Sequence, residues 1–327
     1  MLIKKSFAIL TFLLLTVLLL TGCGENDTPG GDSQGQQSPV VTESQTIAAD
    51  KDIVQQARES GHFKYFSIMV AAGPAGTKKA HYSDTCIKCH SAVKMFDDPQ
   101  AVLADFFPNG KHAGQVEGIT CRVCHQFSGT EGIGLRKKGW AVCGDCHTAE
   151  KLVLGKAVHH PQNEMIRGIG VGEVPNKPSY KCFNMIDFTC YDCHVTNARK
   201  HDFMIPGVTV THDGVVRTSA KIDYNKFKQV FQQEKCKSCH AIPEDAVDSI
   251  RKKQEYIGGK LEEIKTVYEE WSKKNASLDK SDPRFKAFNE GTTYYTYVEA
   301  DSSKGAHNYE MARDLLAKAE EKAQQFK

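Results

Sequence analysis

Ten of the twelve cysteines in this 327-residue chain are paired as Cys-x-x-Cys, and every pair is followed at once by histidine. The five runs are Cys86-Ile87-Lys88-Cys89-His90, Cys121-Arg122-Val123-Cys124-His125, Cys143-Gly144-Asp145-Cys146-His147, Cys190-Tyr191-Asp192-Cys193-His194 and Cys236-Lys237-Ser238-Cys239-His240. Two thiols at this spacing suit thioether bonds to the two vinyl groups of a haem, and the adjacent histidine supplies a nitrogen to its iron. Zinc sites and redox dithiols also use Cys-x-x-Cys, but neither needs a histidine directly after the second cysteine. At the histidine frequency of this chain, five such coincidences arise by chance roughly once in ten million. The pattern implies five haem c groups, with His90, His125, His147, His194 and His240 as proximal ligands.

Eight histidines lie outside the runs: His62, His81, His112, His159, His160, His201, His212 and His307. Five irons need at most five further ligands, so the sequence neither forces an open iron nor forbids one. Local context selects His81, His112, His160, His201 and His307 as distal ligands. His81 precedes Cys86. His112 precedes the lead-in Gly118-Ile119-Thr120 to Cys121. His159-His160-Pro161 is expected to give one ligand, with proline fixing the chain beyond it. His201 follows the fourth run, and His307 sits in Gly305-Ala306-His307-Asn308, where glycine permits close approach of backbone to a porphyrin. His62, in His62-Phe63-Lys64-Tyr65-Phe66, reads either as a ligand or as part of an aromatic wall. His212 reads as exposed. No residue is assigned as catalytic: Tyr180 and Tyr191 read as packing residues, and Arg122 and Arg136 as partners of haem propionates. The spare Cys182 reads as a small buried hydrophobe.

These residues must be positioned by a chain with little conventional core. Turn chemistry recurs between His81 and His201, at Pro108-Asn109-Gly110, Gly168 to Gly172 and Pro175 to Pro178, so extended regular structure is not expected there. The porphyrins themselves are expected to form most of the interior. A short helix is expected over Ala48 to Ser60 with Gly61 as its stop, and another over Tyr224 to Glu234. Beyond Pro243, the residues Val247, Ile250, Gln254, Ile257, Leu261, Ile264, Tyr268 and Trp271 form one apolar stripe at helical spacing, with Gly258-Gly259 a place where it could bend. Pro283 opens a second helix, and Asn308 to Phe326 a third. The fold class is therefore mainly α with much irregular structure: a haem-packed core followed by a C-terminal antiparallel helical bundle.

The N-terminus predicts export. Lys4 and Lys5 precede a 14-residue apolar stretch, Phe7 to Leu20, interrupted by two threonines and ending in Leu20-Thr21-Gly22-Cys23. Such a run is a signal-peptide core, too short for a stable membrane span. The tetrad resembles a bacterial lipobox, which would make Cys23 the lipidated first residue of the mature protein. The division expected is residues 1–22 signal peptide, 23–46 flexible tether, 47–240 five-haem domain and 241–327 a helical region packing on it. A formal net charge of +2 gives no argument for nucleic acid binding.

Several pieces together resemble the multihaem family that includes pentahaem ammonia-forming nitrite reductase, cytochrome c554 and hydroxylamine oxidoreductase. They are His112 with Gly-Ile-Thr-Cys-x-x-Cys-His, His159-His160-Pro161-Gln162 with Glu164-Met165 and a glycine-rich tail, the fourth run with His201-Asp202-Phe203, and Gly-Ala-His-Asn before the last helix. The resemblance covers about residues 81 to 327. It implies closely stacked haems and a C-terminal helical region that can form a homodimer. The chain departs from the family in lacking the Cys-x-x-Cys-Lys run that commonly binds the catalytic haem, and in being shorter. The function expected is a membrane-anchored, extracytoplasmic five-haem electron carrier at an outer membrane or cell surface, exchanging electrons with redox partner proteins in anaerobic respiration. The alternative is a reductase of nitrite, hydroxylamine or a small sulfur oxyanion with one open iron.

Overall fold

The structure is a computed structural model that describes residues 52–73, 82–128, 132–137, 140–149, 158–178, 189–195, 200–212, 217–237 and 240–326. All belong to one compact unit, Thr46–Lys327. The expectations for the signal peptide, the tether, Cys23, His81, Tyr180, Cys182 and Cys239 lie outside the described residues.

The first helical stretch, 52–59, is followed directly by α1 (Gly61–Ala72). Gly61 therefore starts a helix where the sequence reading has it stop one. Ser60 breaks the run with an extended ψ of 158°. The α1 residues Phe66 and Met69 are fully buried with Ile87, Leu103 and Phe106. That burial outweighs the roughly 1 kcal/mol that glycine costs in a helix.

From Tyr82 to His240 the regular elements are short. The ribbon β1 (His125–Ser128) and β2 (Gly132–Leu135) pairs antiparallel, with His125 opposite Leu135. Helix α2 (Gln162–Arg167) ends at Gly168 in the left-handed region (φ 65°). A second antiparallel ribbon joins β3 (Val208–His212) to β4 (Arg217–Ile222). The first ribbon directly follows the second Cys-x-x-Cys-His run, and Arg136 N donates to Cys124 O at 2.9 Å, tying the returning strand to the run itself; strands of four residues agree with the expectation of little extended regular structure. The helix expected over Tyr224 to Glu234 is divided into an α turn, Tyr224–Phe227, and a 3-10 turn, Lys228–Gln232.

The C-terminal part matches its sequence pattern closely. Helix α3 (Pro243–Lys274) runs unbroken through Gly258-Gly259, and its stripe residues are buried, Ile250 only partly. Helix α4 (Pro283–Asp301) turns back along it, and α5 (Tyr309–Phe326) returns again. The up-down-up order follows from the contacts: Trp271 meets Phe285, Phe288 and Phe326, and Lys265 pairs with Glu299. Tyr268 donates to Ala319 O at 2.7 Å and Trp271 Nε1 to Phe326 O at 2.9 Å, so the buried polar atoms of both rings are satisfied. Met165, Val171 and Val174, from α2 and the glycine-rich segment after it, join this same core.

Candidate haem sites

The first four runs each form one helical turn, and in the fifth the described ends, Cys236 and His240, are joined by the same hydrogen bond. The amide of the motif histidine donates to the carbonyl of the first cysteine at 3.2 Å for His90, 3.0 Å for His147 and 2.8 Å for His240. His125 donates likewise to Cys121, and the fourth run is itself the helix Cys190–His194. In a helical turn, positions i, i+3 and i+4 share a face, so both sulfurs and the imidazole of one run face the same space.

The spare histidines determine what stands across that space. With a metal–nitrogen bond of about 2.0 Å and a centre-to-nitrogen distance of about 1.1 Å in the ring, two imidazoles on one iron place their centroids about 6.2 Å apart. The structure holds four pairs at that separation: His90 with His160 at 6.1 Å, His125 with His201 at 6.1 Å, His194 with His307 at 6.4 Å, and His147 with His62 at 5.9 Å. The residues thus fit haem iron held between two histidines. His159 stands beside His160, and the ligand atoms of His90, His159 and His160 lie within 4.8 Å of one another.

Burial lowers His62, His90 and His194 to about 4 and His160 to about 3, with neighbouring histidines adding to the effect, and so favours the neutral form that ligates iron in these four. In His307 burial lowers the pKa, but the charge and hydrogen bond of Asp301 leave it raised. The outer ring nitrogens differ in their partners. His147 Nδ1 lies 3.3 Å from Gln162 Oε1, His194 Nδ1 3.4 Å from Phe203 O, and His307 Nδ1 2.6 Å from Asp301 Oδ1. His125 Nδ1 and His201 Nδ1 are buried with no hydrogen-bond partner among the described residues. Of the five non-glycine residues with positive φ, four lie at these ligands: His160 (52°), Phe203 (58°), Ser302 (60°) and Lys304 (51°). Such conformations cost roughly 1–2 kcal/mol each and persist where the surroundings impose them.

The thiols of different runs also meet. Cys146 lies within hydrogen-bonding reach of Cys89, and Cys143 of Cys190. Burial pushes Cys124 up to about 11 and Cys193 to about 12, the opposite of the depressed thiol of a redox dithiol. The third run therefore meets the first and the fourth.

One expected distal ligand, His112, is not paired in this way. His112 is buried, stacked on Phe106 at 5.4 Å, and its Nε2 lies 2.9 Å from Asp98 Oδ2. It faces a carboxylate rather than a motif histidine. His81 is outside the described residues. His240 packs edge-on against Phe231 at 5.4 Å, and among the described residues no histidine ring is paired with it. His62 takes a ligand's position that local sequence left open. Its only sequence signal is the aromatic cluster around it. Arg122 forms a salt bridge with Asp97, and Arg122 and Arg136 both lie over the Phe96 ring.

No family model matches the chain, and no curated protein matches it. Solved structures do. The outer cell wall cytochrome OcwA is 27% identical, with a TM-score of 0.60 over 83% of this chain and 50% of its own. An undecahaem cytochrome from the S-layer of Carboxydothermus ferrireducens is 23% identical, with a TM-score of 0.53 over 81% of this chain and 40% of its own. The chain thus spans half or less of the length of these proteins. It has the fold of the multihaem cytochromes c, and haem c is the group that Cys-x-x-Cys-His runs on this fold suit. No helix among the described residues is long and apolar enough to cross a membrane.

Proposed function

We propose that the protein is an extracytoplasmic five-haem electron carrier, tethered to a bacterial membrane through a lipid on Cys23. The observation that carries this reading is the set of four histidine pairs at 5.9–6.4 Å, which closes both axial positions of four irons. Each haem, when bound, holds and releases one electron. The chain's own residues set how those electrons move. The thiol contacts imply an order in which the third haem adjoins the first and the fourth. His62, not His112, closes the third haem. The cell wall and S-layer settings of the two similar cytochromes support an extracytoplasmic place. Redox partner proteins would dock transiently, as weak electron-transfer encounters do. The reductase reading has one place left to it, the fifth haem, where no histidine faces His240 among the described residues.

Electron paramagnetic resonance of the oxidised holoprotein, with haem stoichiometry, tests this. Five haems are expected, at least four of them low-spin. His62→Ala should convert one to high-spin, whereas His112→Ala should lower stability and leave every low-spin signal in place. A high-spin signal produced by His112→Ala and not by His62→Ala would overturn the assignment. A high-spin haem in the unaltered protein that binds nitrite or hydroxylamine would favour the reductase.

A further inference from the structure

The four histidine pairs differ most in what lies behind them, and one has a feature the others lack. Asp301, the last residue of α4, has a side chain with no solvent exposure, and its Oδ1 lies 2.6 Å from His307 Nδ1. Its other oxygen accepts from the Ser303 hydroxyl. Ser303 is held in turn: its carbonyl accepts from Gln254 Nε2 at 2.9 Å, its hydroxyl accepts from His307 N at 3.1 Å, and Gln254 Oε1 accepts from Tyr224 at 3.1 Å. Among the described residues the salt bridges of Asp301 are with His307 alone. Across the same iron position, His194 meets the neutral carbonyl of Phe203, and at the third run His147 meets the neutral amide of Gln162.

We propose that Asp301 is a tuning residue that makes the haem between His194 and His307 the lowest in reduction potential of the four histidine-paired haems. This rests on the reading of His307 as its distal ligand. A carboxylate accepting the Nδ1 proton gives the imidazole partial imidazolate character, a stronger donor that stabilises ferric over ferrous iron. The buried negative charge acts in the same direction. The couple is a single electron, taken from a neighbouring reduced haem and passed to another, and the Nδ1 proton stays between His307 and Asp301. Because the third and fourth runs meet, this haem would form a potential step beside the third, taking up an electron only after the third is reduced. Ser303 moderates the step by drawing on the same carboxylate.

Redox titration of the full-length holoprotein, followed in the visible spectrum and by paramagnetic resonance, tests the proposal through opposite signs. Asp301→Asn keeps the shape and an acceptor but removes the charge. It should raise the lowest midpoint by about tenfold in the ferric/ferrous equilibrium constant, about 59 mV, with the low-spin signals retained. Ser303→Ala should move the same component downward, and Asp301→Glu should return it towards the wild-type value. An unmoved lowest midpoint in the asparagine variant with its low-spin signals intact overturns the tuning. So does Ser303→Ala without a downward shift, which decides the matter if the asparagine variant fails to fold. His307→Ala separates the underlying reading: conversion of one haem to high-spin supports His307 as a ligand, and full retention of the low-spin signals overturns it.

Discussion

Residues 243–326 bury Tyr268, Tyr294, Tyr297, Trp271 and Phe326 among three helices of 32, 19 and 18 residues. Residues 82–240 are instead built from helical pieces of four to six residues and two short ribbons, with small side-chain clusters around Phe106 and Val230. The helices carry their own core. The haem-bearing segment instead sets histidine rings in pairs with centroids about 6 Å apart, a separation that suits an iron between them. One half of the compact unit is thus stabilised by peptide packing, and the other by the group it binds.

Removing the haems is the strongest way to break that comparison. Full-length protein made without haem attachment should lose structure across residues 82–240 and retain α3 to α5. Limited proteolysis should leave a protected fragment beginning near Pro243, with helical circular dichroism. Uniform digestion, or cooperative loss of all helix signal, would mean that the bundle depends on the haems as much as the rest does.

The converse experiment acts on the bundle alone. Trp271 stacks on Phe288 at 4.6 Å and caps the end of α5 through its indole hydrogen bond. Trp271→Ala should cost about 3–5 kcal/mol of bundle stability in denaturant unfolding. The haem spectra should stay as they are, and a change in low-spin signals would show that the two regions are coupled more tightly than their contents suggest.

The two regions also differed in how far the sequence revealed them. The α3 stripe is legible because its period is local: every stripe residue lies three or four positions from the next. The covalent motifs are legible for the same reason. Ligand pairing is not local. His160, His201 and His307 stand about 6 Å from motif histidines, and nothing in the residues near His62 specifies His147, 85 positions later (147 − 62). His112 has the context of a ligand, but Asp98 takes its ring nitrogen, a contact that depends on the fold of the loop between them.

Gly118 allows a finer test, because it lies next to the second motif in sequence and next to His62 in space. Its amide donates to Phe63 O at 3.1 Å, and the amide of Ile119 donates to His62 O at 2.8 Å. A Cβ added there would stand 2.5 Å from His62 O and 2.7 Å from Phe63 O, so the backbone of α1 would have to move. Gly118→Ala should cost about 1–3 kcal/mol. It should also perturb the low-spin signal that His62→Ala abolishes, rather than that of the haem its own motif binds. Perturbation of only the second haem would separate His62 from the third.

The smallest effect belongs to the start of α4. Asp282 accepts from Arg284 N at 2.9 Å as the N-cap and pairs with the Arg284 guanidinium at 2.8 Å. The side-chain bond from Arg284, reinforced by its backbone amide, lowers this carboxyl from 3.8 to about 2. A folded value below the unfolded one means that the carboxylate stabilises the helix above about pH 4 and ceases to do so as the pH falls through about 2. Asp282→Ala should therefore lower the unfolding temperature of the bundle slightly at neutral pH, and the gap from wild type should close on acidification. The Soret band should not distinguish the two proteins at any pH, since among the described residues α4 approaches the haem ligands at its far end, through Asp301 and, by way of Gln162, Ala300. A gap that widened in acid would assign the stabilisation to some group other than the cap. A Soret difference would show that the start of the helix reaches the haem region through a route other than Asp301 and Ala300.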